Sequence, residues 1–432
     1  MAKIDELTED FALEPVPSAS TVNGVRVAMV IVGFTITLPI FIAGSNIGLS
    51  LGFMNATAAF LGGGFILAMI GSLTAYIGAK TRLSTYVITQ FSFGRRGARV
   101  ANGVIAMALF GWYGVTAELF GKACQKAILD LYGLDLGVVP LSLVGSTLMV
   151  FTAIWGFKAL DKLSVFAVPL MGVLLATAVL FALRSTSWHE IVATKGDTIG
   201  KGTATSLVVG SFIVGAILLP DLCRYARRSW EGIAAAAVSL GVIFPIVFYC
   251  AMIPSLATGK NDLVLIMIGL GIGLPALALL IFATWSTNSH NLYSTSLTLA
   301  SLFPAIKKWK LTVVAGLAGT AIAAAGITDH FVAFLLLLGT SIPAIAGIYA
   351  ADFFVISKQK YTPQRMRTIQ NTNPCAFIAW IGASGFGYAT EQGLAGGITG
   401  VTSCDSVLIG FVLYVVSSLV LSWALPQQQI VH

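Results

Sequence analysis

Apolar runs of roughly 20 residues, each long enough to cross ~30 Å of hydrocarbon, recur along the chain from Val25 to Leu425. In lipid, backbone polar groups must be satisfied within the protein, so a succession of such runs points to a bundle of α-helices. A β-barrel would show short alternating segments, and the sequence has none. Only 10% of the 432 residues are charged, against about 25% in an ordinary soluble domain, too few to coat a water-facing surface. The expectation is an all-α polytopic membrane protein with twelve transmembrane helices, near 27–52, 55–78, 101–129, 138–157, 163–183, 204–222, 232–256, 273–301, 311–328, 331–351, 374–391 and 405–425.

The net charge of +7 reports orientation rather than a nucleic-acid partner. With the N-terminus inside, the five cytoplasmic connections carry seventeen Lys and Arg, among them Lys80, Arg95, Arg224 and Arg365. The outer connections carry four, Arg184, Lys195, Lys201 and Lys260. This is the positive-inside pattern, and the excess charge suits anionic membrane lipid. The chain is expected in the inner (plasma) membrane, as a monomer, with both termini cytoplasmic. Residues 1–24, acidic through Asp5, Glu6, Glu9, Asp10 and Glu14, lack the basic and short apolar regions of a cleaved signal and read as a tail, as do residues 426–432. Five scattered cysteines without metal spacing read as small apolar thiols. The basic stretch Lys80–Arg99 is expected to lie as an amphipathic helix on the inner surface, and Asp262–Gly271 to form an outer lid helix.

Spans one and six share an oddity. FIAGSNIGLSLG (Phe41–Gly52) and VVGSFIVGAILLP (Val208–Pro220) both place glycine and serine mid-membrane. Each begins a set of five spans, residues 25–183 and 184–351, and the two sets have opposite topology; residues 352–425 supply the last two helices. Interrupted helices at matching places in two inverted halves point to a transporter with a midplane site. The competing explanation is close helix packing through small residues. The expected architecture is thus a five-plus-five inverted repeat with discontinuous helices 1 and 6, plus two C-terminal helices.

Span eight contains TWSTNSHN, Thr284 to Asn291, inside an otherwise apolar run. Desolvating an unpartnered amide or hydroxyl costs several kcal/mol, so these side chains turn inward, to the bundle, a wet cavity or a ligand. Ala283, Ser286, Thr287 and His290 share one face, with Asn288 and Asn291 on an adjoining one. Neighbouring hydroxyls and a freed carbonyl suit a small hard cation, and an amide such as Asn288 suits a planar substrate with donor and acceptor edges. In span three, Trp112 lies near mid-depth between Gly111 and Gly114, away from the interfacial belt. Trp112 and Phe212 are candidate plates for a flat ring, each stacking contact being worth ~1–3 kcal/mol. Both have an ordinary packing alternative.

Glu118 is an ionisable residue in or near the membrane and a functional suspect for that reason, but Lys122 four residues on forms the usual helix ion pair. A proton or gating role and a structural role both fit Glu118 and His290. No phosphate loop, zinc signature or nucleophile elbow is present, and GLGIG at 269–273 follows no strand. No enzyme is expected.

Several segments together resemble the nucleobase:cation symporters of the cytosine permease and hydantoin permease type: TAYIGAKTRLSTYVITQFSFGRRG (Thr74–Gly97), FGWYGV (Phe110–Val115), VVGSFIVGAILLPDLCRYAR (Val208–Arg227), TWSTNSHNLYSTSL (Thr284–Leu297) and AADFF (Ala350–Phe354). The resemblance implies a base stacked between Trp112 and Phe212, hydrogen-bonded by the unwound backbone at Ser211, Val214 and Gly215 and by Asn288. It also implies sodium as the coupling ion, held by Ser286 and Thr287 hydroxyls and by carbonyls of Ala283, Gly33 and Ile36, and no cofactor. Two positions depart from the family. Cytosine permeases tend to carry glutamine where this chain has Leu109, and hydantoin permeases where it has Thr116. The expectation is therefore a sodium-coupled importer of a small heterocyclic base, cytosine first. The alternatives are a proton-driven carrier, one for hydantoin, allantoin, purine or a thiamine-type pyrimidine, and a membrane substrate sensor.

Overall fold

The computed structural model describes residues 11–424. Helices follow one another without a named β-strand among these residues. They are α1 (Gly24–Thr35), α2 (Leu38–Thr81), α3 (Thr85–Phe93), α4 (Gly97–Tyr132), α5 (Val138–Ile154), α6 (Phe157–Ser185), α7 (Trp188–Ala193), α8 (Lys201–Gly210), α9 (Ile213–Ile217) and α10 (Pro220–Cys223). The chain continues through α11 (Ser229–Val238), α12 (Phe244–Thr258), α13 (Leu263–Gly269), α14 (Gly273–Leu302), α15 (Lys308–Ala324), α16 (Phe331–Ala351), α17 (Pro363–Thr368), α18 (Pro374–Glu391) and α19 (Thr402–Ala424). Five described segments are long and apolar enough to cross a membrane: α2, α4, α6, the α11–α12 run through a π-helical turn, and α19.

Polarity is distributed opposite to that of a water-soluble protein. Met54, Phe65, Met69, Val173, Leu317 and Ile381 are all at least 60% exposed, while Thr284, Asn288, Ser289 and Ser296 are fully buried. Contiguous exposed apolar surface marks contact with something apolar, and here it wraps the bundle. The polar residues are inside because hydrocarbon offers them no partner.

α14 runs through the middle of the packing, against α4, α5, α6 and α15. α12 lies along α2, and α16, α18 and α19 pack together as a group. The glycines of the Phe41–Gly52 stretch explain the α2–α12 contact. A side chain at Gly44 would stand 3.0 Å from the Phe248 carbonyl, and one at Gly48 would stand 2.5 Å from Met252 Cγ. This is small-residue helix packing. Within that stretch only Gly52, at φ 70°, departs from helical geometry. A Cβ there would stand 2.2 Å from the Thr194 carbonyl oxygen, so only glycine fits the close approach of the 194–198 loop.

The break in the first span therefore lies elsewhere than the sequence suggested. It falls at Ile36 (φ −85°, ψ 93°) and Thr37 (φ −147°, ψ 154°), between α1 and α2, ahead of the glycine-rich stretch. Pro39 then starts α2, in the first turn where its missing N–H costs nothing. The second break falls inside the expected stretch. α8 ends at Gly210, Phe212 sits at φ −136°, ψ 3°, and two short helices follow. Carbonyls freed by that break are satisfied from other helices. Thr74 Oγ1 donates to Ala216 O at 2.6 Å, and the Tyr349 hydroxyl donates to Ile217 O at 2.7 Å.

The Lys80–Arg99 expectation is corrected. The helical part, α3, carries no charge and is buried at eight of its nine residues. It is wedged inside, with Thr89 Oγ1 donating to Asn102 Oδ1 at 2.8 Å and Phe91 stacked on Tyr361 at 3.9 Å. Its basic residues sit in the flanks, so they never form a polar face. Asp262 caps α13, accepting from Leu265 N at 3.1 Å, and α13 packs its apolar side on α14 and α12.

Candidate functional site

The two breaks face the polar stretch of α14, and a cavity of about 580 Å³, counted to its open mouth, lies between them. Of the six residues expected to touch a substrate, Trp112, Ser211, Phe212, Val214 and Gly215 line the cavity. Asn288 does not. It is fully buried behind the wall, where its Nδ2 donates to the Tyr113 carbonyl at 3.1 Å.

The lining contains residues the sequence reading did not single out for a substrate. Asn291 lines the cavity in place of Asn288 and donates to Asn288 Oδ1 at 3.1 Å. Phe34, at the end of α1, stacks on His290 with centroids 4.1 Å apart and meets Phe212 at 5.0 Å. Phe34 was missed because the break beside it was placed too late in the sequence. Thr37 occupies the cap position of α2 without using its hydroxyl as a cap, and its Oγ1 is buried with no partner at the cavity wall. His290 Nδ1 is likewise buried without a partner. Such orphans cost ~1–3 kcal/mol each unless something pairs with them.

Leu109 and Thr116, where the chain departs from its family, both line this cavity. No Asp, Glu, Lys or Arg does so among the described residues.

Beside the cavity, Thr287 Oγ1 lies 3.5 Å from the carbonyl oxygens of both Phe34 and Ile36. The end of α1 leaves such carbonyls without intrahelical partners. A Cβ on Gly33 would stand 2.8 Å from Ser286 Oγ, so glycine there lets α1 and α14 approach. Ala283 is fully buried one turn before Thr287. This donor set is neutral oxygen, which suits a hard monovalent cation, and no cluster of three His, Cys, Asp or Glu exists among the described residues.

Glu118 stands apart from the cavity lining. It pairs with Lys122 at 2.6 Å and accepts from Thr328 N at 3.0 Å, tying α4 to the turn between α15 and α16. His290, by contrast, belongs to the wall.

On the side of the N-terminal segment the cavity has a polar floor. Ser294, a lining residue, donates to Asp221 Oδ2 at 3.4 Å, and Asp221 Oδ1 accepts from Thr85 N at 2.8 Å. Arg224 is fully buried beneath it and donates to Phe11 O at 2.7 Å and the Tyr293 hydroxyl at 2.9 Å. The sequence places Arg224 among the loop charges; in the structure it is an interior side chain that fastens the N-terminal segment. Val22 N donates to Tyr225 O at 2.8 Å, extending the same attachment.

Broken helices opening on an uncharged cavity, inside a bundle with an apolar exterior, define a multi-pass membrane carrier. The family described as permease for cytosine/purines, uracil, thiamine, allantoin matches residues 15–425, and the chain belongs to it. It is a transporter and not an enzyme. The chain is 28% identical to the cytosine permease of Escherichia coli (strain K12) over 417 residues, 96% of this chain and 95% of that one. It is 25% identical to the hydantoin permease of Microbacterium maritypicum over 361 residues, covering 75% and 71% of the two chains. Its fold is similar to that of a nucleobase-cation-symport-1 family transporter solved closed with bromovinylhydantoin bound, at TM-score 0.84 and 19% identity over 97% of both chains.

Proposed function

We propose that the protein is a sodium-coupled symporter that imports a small uncharged heterocyclic base, cytosine first, by alternating access. The observation that carries this is the cavity where the breaks at Ile36–Thr37 and Ser211–Phe212 meet α14, lined by aromatic rings, hydroxyls and the Asn291 amide but, among the described residues, by no Asp, Glu, Lys or Arg. The base stacks on Trp112 and Phe212. Its edge meets Ser211, the backbone at Val214 and Gly215, and Asn291, with Asn288 behind.

Sodium is the coupling ion, held by Ser286, Thr287 and the carbonyls of Gly33, Ile36 and Ala283. This places the ion against the first break and the base against the second, so α14 touches both ligands. Coupling follows if the doubly loaded state favours closure more than either ligand alone. The permease names of the relatives support a heterocyclic cargo. Twelve spans in a five-plus-five inverted arrangement with two added helices, both termini cytoplasmic, a monomer in the inner membrane: these complete the reading. The positions 1–10 and 425–432 of its tails lie outside the described residues.

Uptake of labelled cytosine into vesicles of purified protein, with and without a sodium gradient and competed by a panel of bases, tests it. Sodium-driven uptake is expected. Uptake driven equally by a proton gradient without sodium overturns the coupling ion, and no uptake of any base overturns the cargo.

A further inference from the structure

Asn288 does not reach the cavity, yet it stands in the middle of a hydrogen-bond chain that ends there. Its Nδ2 donates to the Tyr113 carbonyl on α4, and its Oδ1 accepts from Asn291 Nδ2, both at 3.1 Å. A backbone carbonyl only accepts. It therefore fixes which way Asn288 turns. Asn288 then offers its oxygen to Asn291, and that fixes the second amide as well. A lone asparagine has two orientations of nearly the same shape, but here the polarity is set from the α4 backbone outward. Both side chains are at least 96% buried, since Asn288 is 0% and Asn291 4% exposed, so a flipped amide would face like against like with no water to relieve it.

Elsewhere in the lining the Ser211 and Ser294 hydroxyls have committed their protons, to Val208 O at 2.7 Å and Asp221 Oδ2 at 3.4 Å, while other polar groups keep both senses. Thr37, Thr116 and His290 are hydroxyls and an imidazole, each able to donate or accept. Leu109 has no polar group at all. Asn291 is the lining amide, and one of its protons is already committed.

We propose that Asn288 is a positioning residue that holds Asn291 with its amide oxygen as the fixed acceptor on α14, and that the cargo is therefore an uncharged heterocycle carrying an N–H or NH2 donor on the edge turned to α14. This rests on the reading of the cavity as a base site. Tyr113 adjoins Trp112, so one stretch of α4 backbone sets both the stacking plate and the polarity of the edge reader. A base lying on Trp112 is registered against an oxygen whose direction the same helix dictates. Selection then depends on donors: Thr37, Thr116 and His290 adapt to amino or oxo substituents, and this oxygen does not.

The test compares cytosine with 1-methylcytosine and N4,N4-dimethylcytosine, which keep the ring and remove donors, as ligands of the full-length protein in detergent. In the wild type at least one methylated form is expected to bind tenfold or more weakly than cytosine. In Asn288→Ala the freed Asn291 amide can rotate, so that ratio is expected to fall to within about threefold while cytosine still binds. A purely structural Asn288 would weaken all three ligands together and leave the ratio unchanged, and that result overturns the relay. Equal binding of all three by the wild type also overturns it, and this arm holds even if the variant does not fold. If the wild type binds no base from a wider panel, the base-site reading fails and the relay with it.

Discussion

Arg224 and Tyr293 meet at 2.9 Å, guanidinium to hydroxyl, in the interior of the protein below the cavity floor. The contact joins the end of the broken sixth span to α14, and the same guanidinium holds the Phe11 carbonyl. An ionised group taken out of water is tolerated only while its hydrogen bonds are met. Arg224→Met keeps the volume but removes the donors, leaving the Phe11 and Asp221 backbone carbonyls and the Tyr293 hydroxyl short of a partner. The expected outcome is a lower melting temperature in detergent and faster protease cleavage between residues 11 and 23. Unchanged cleavage would show that other contacts, such as Val16 N to Arg82 O at 3.0 Å, suffice to hold the segment.

Trp112→Ala removes one plate of the proposed stack. Base affinity is expected to fall roughly 5- to 150-fold, the equivalent of ~1–3 kcal/mol, with the protein still inserted and monodisperse. Equilibrium binding of labelled cytosine measures it, and unchanged affinity would remove the tryptophan from the site.

Thr287→Ala deletes the hydroxyl that stands 3.5 Å from two α1 carbonyls. Half-saturation for sodium is expected to rise about tenfold, the worth of one ~1.4 kcal/mol contact, with a smaller change in maximal uptake rate. A proportionate loss of rate at saturating sodium would instead assign Thr287 to the transport step.

Much of this arrangement was legible in the sequence because hydrocarbon leaves polar groups few options. A run such as Thr284–Asn291 inside an apolar helix had to face inward, and it does. What escaped were features set by neighbours in space. Glycine signals both a broken helix and a close contact, so Gly44 and Gly48, which seat Phe248 and Met252, were mistaken for the interruption. The true break at Ile36–Thr37 carries no glycine; its local signal is Pro39, which has no N–H to continue an unbroken helix and whose ring would clash with the carbonyl four residues back. Asn288 and Asn291 differ by three positions on one helix, and helical periodicity alone does not say which of two adjoining faces opens on a cavity. Arg224 looked like any other loop cation until its partners Phe11 and Tyr293, both distant in sequence, were seen around it.

Lys122→Ala tests the structural reading of Glu118. The carboxylate would keep its two bonds from Thr328 but lose its ion pair at 2.6 Å. Lys122 is 48% exposed, so solvent screens the pair and the loss is on the order of 1 kcal/mol or less. A small drop in melting temperature is expected with the competition profile of bases unaltered. A changed profile would bring Glu118 into substrate choice.

Gly215→Ala probes the aromatic wall itself. Gly215 lies in the short helix after the second break, and a Cβ there would stand 2.8 Å from both Phe212 Cζ and Phe34 Cε1. Those contacts are too short to persist, and the nearest atoms are ring edges rather than flexible chain ends. Phe34 is backed by the His290 ring at 4.1 Å, and Phe212 by Phe244 at 5.3 Å. With both rings supported from behind, the relief lies toward the open space they line. The added methyl is therefore expected to shrink the cavity at the face where a base would stack. Bicyclic bases should lose binding before monocyclic ones, with the loss in affinity growing with ring area. The Thr287 cluster does not include Gly215, so sodium binding in the absence of base should be retained. A competition series from pyrimidines to purines, with sodium affinity measured alongside, checks both halves; equal loss across the series would mean that the rings move away from the cavity and that its width is set elsewhere.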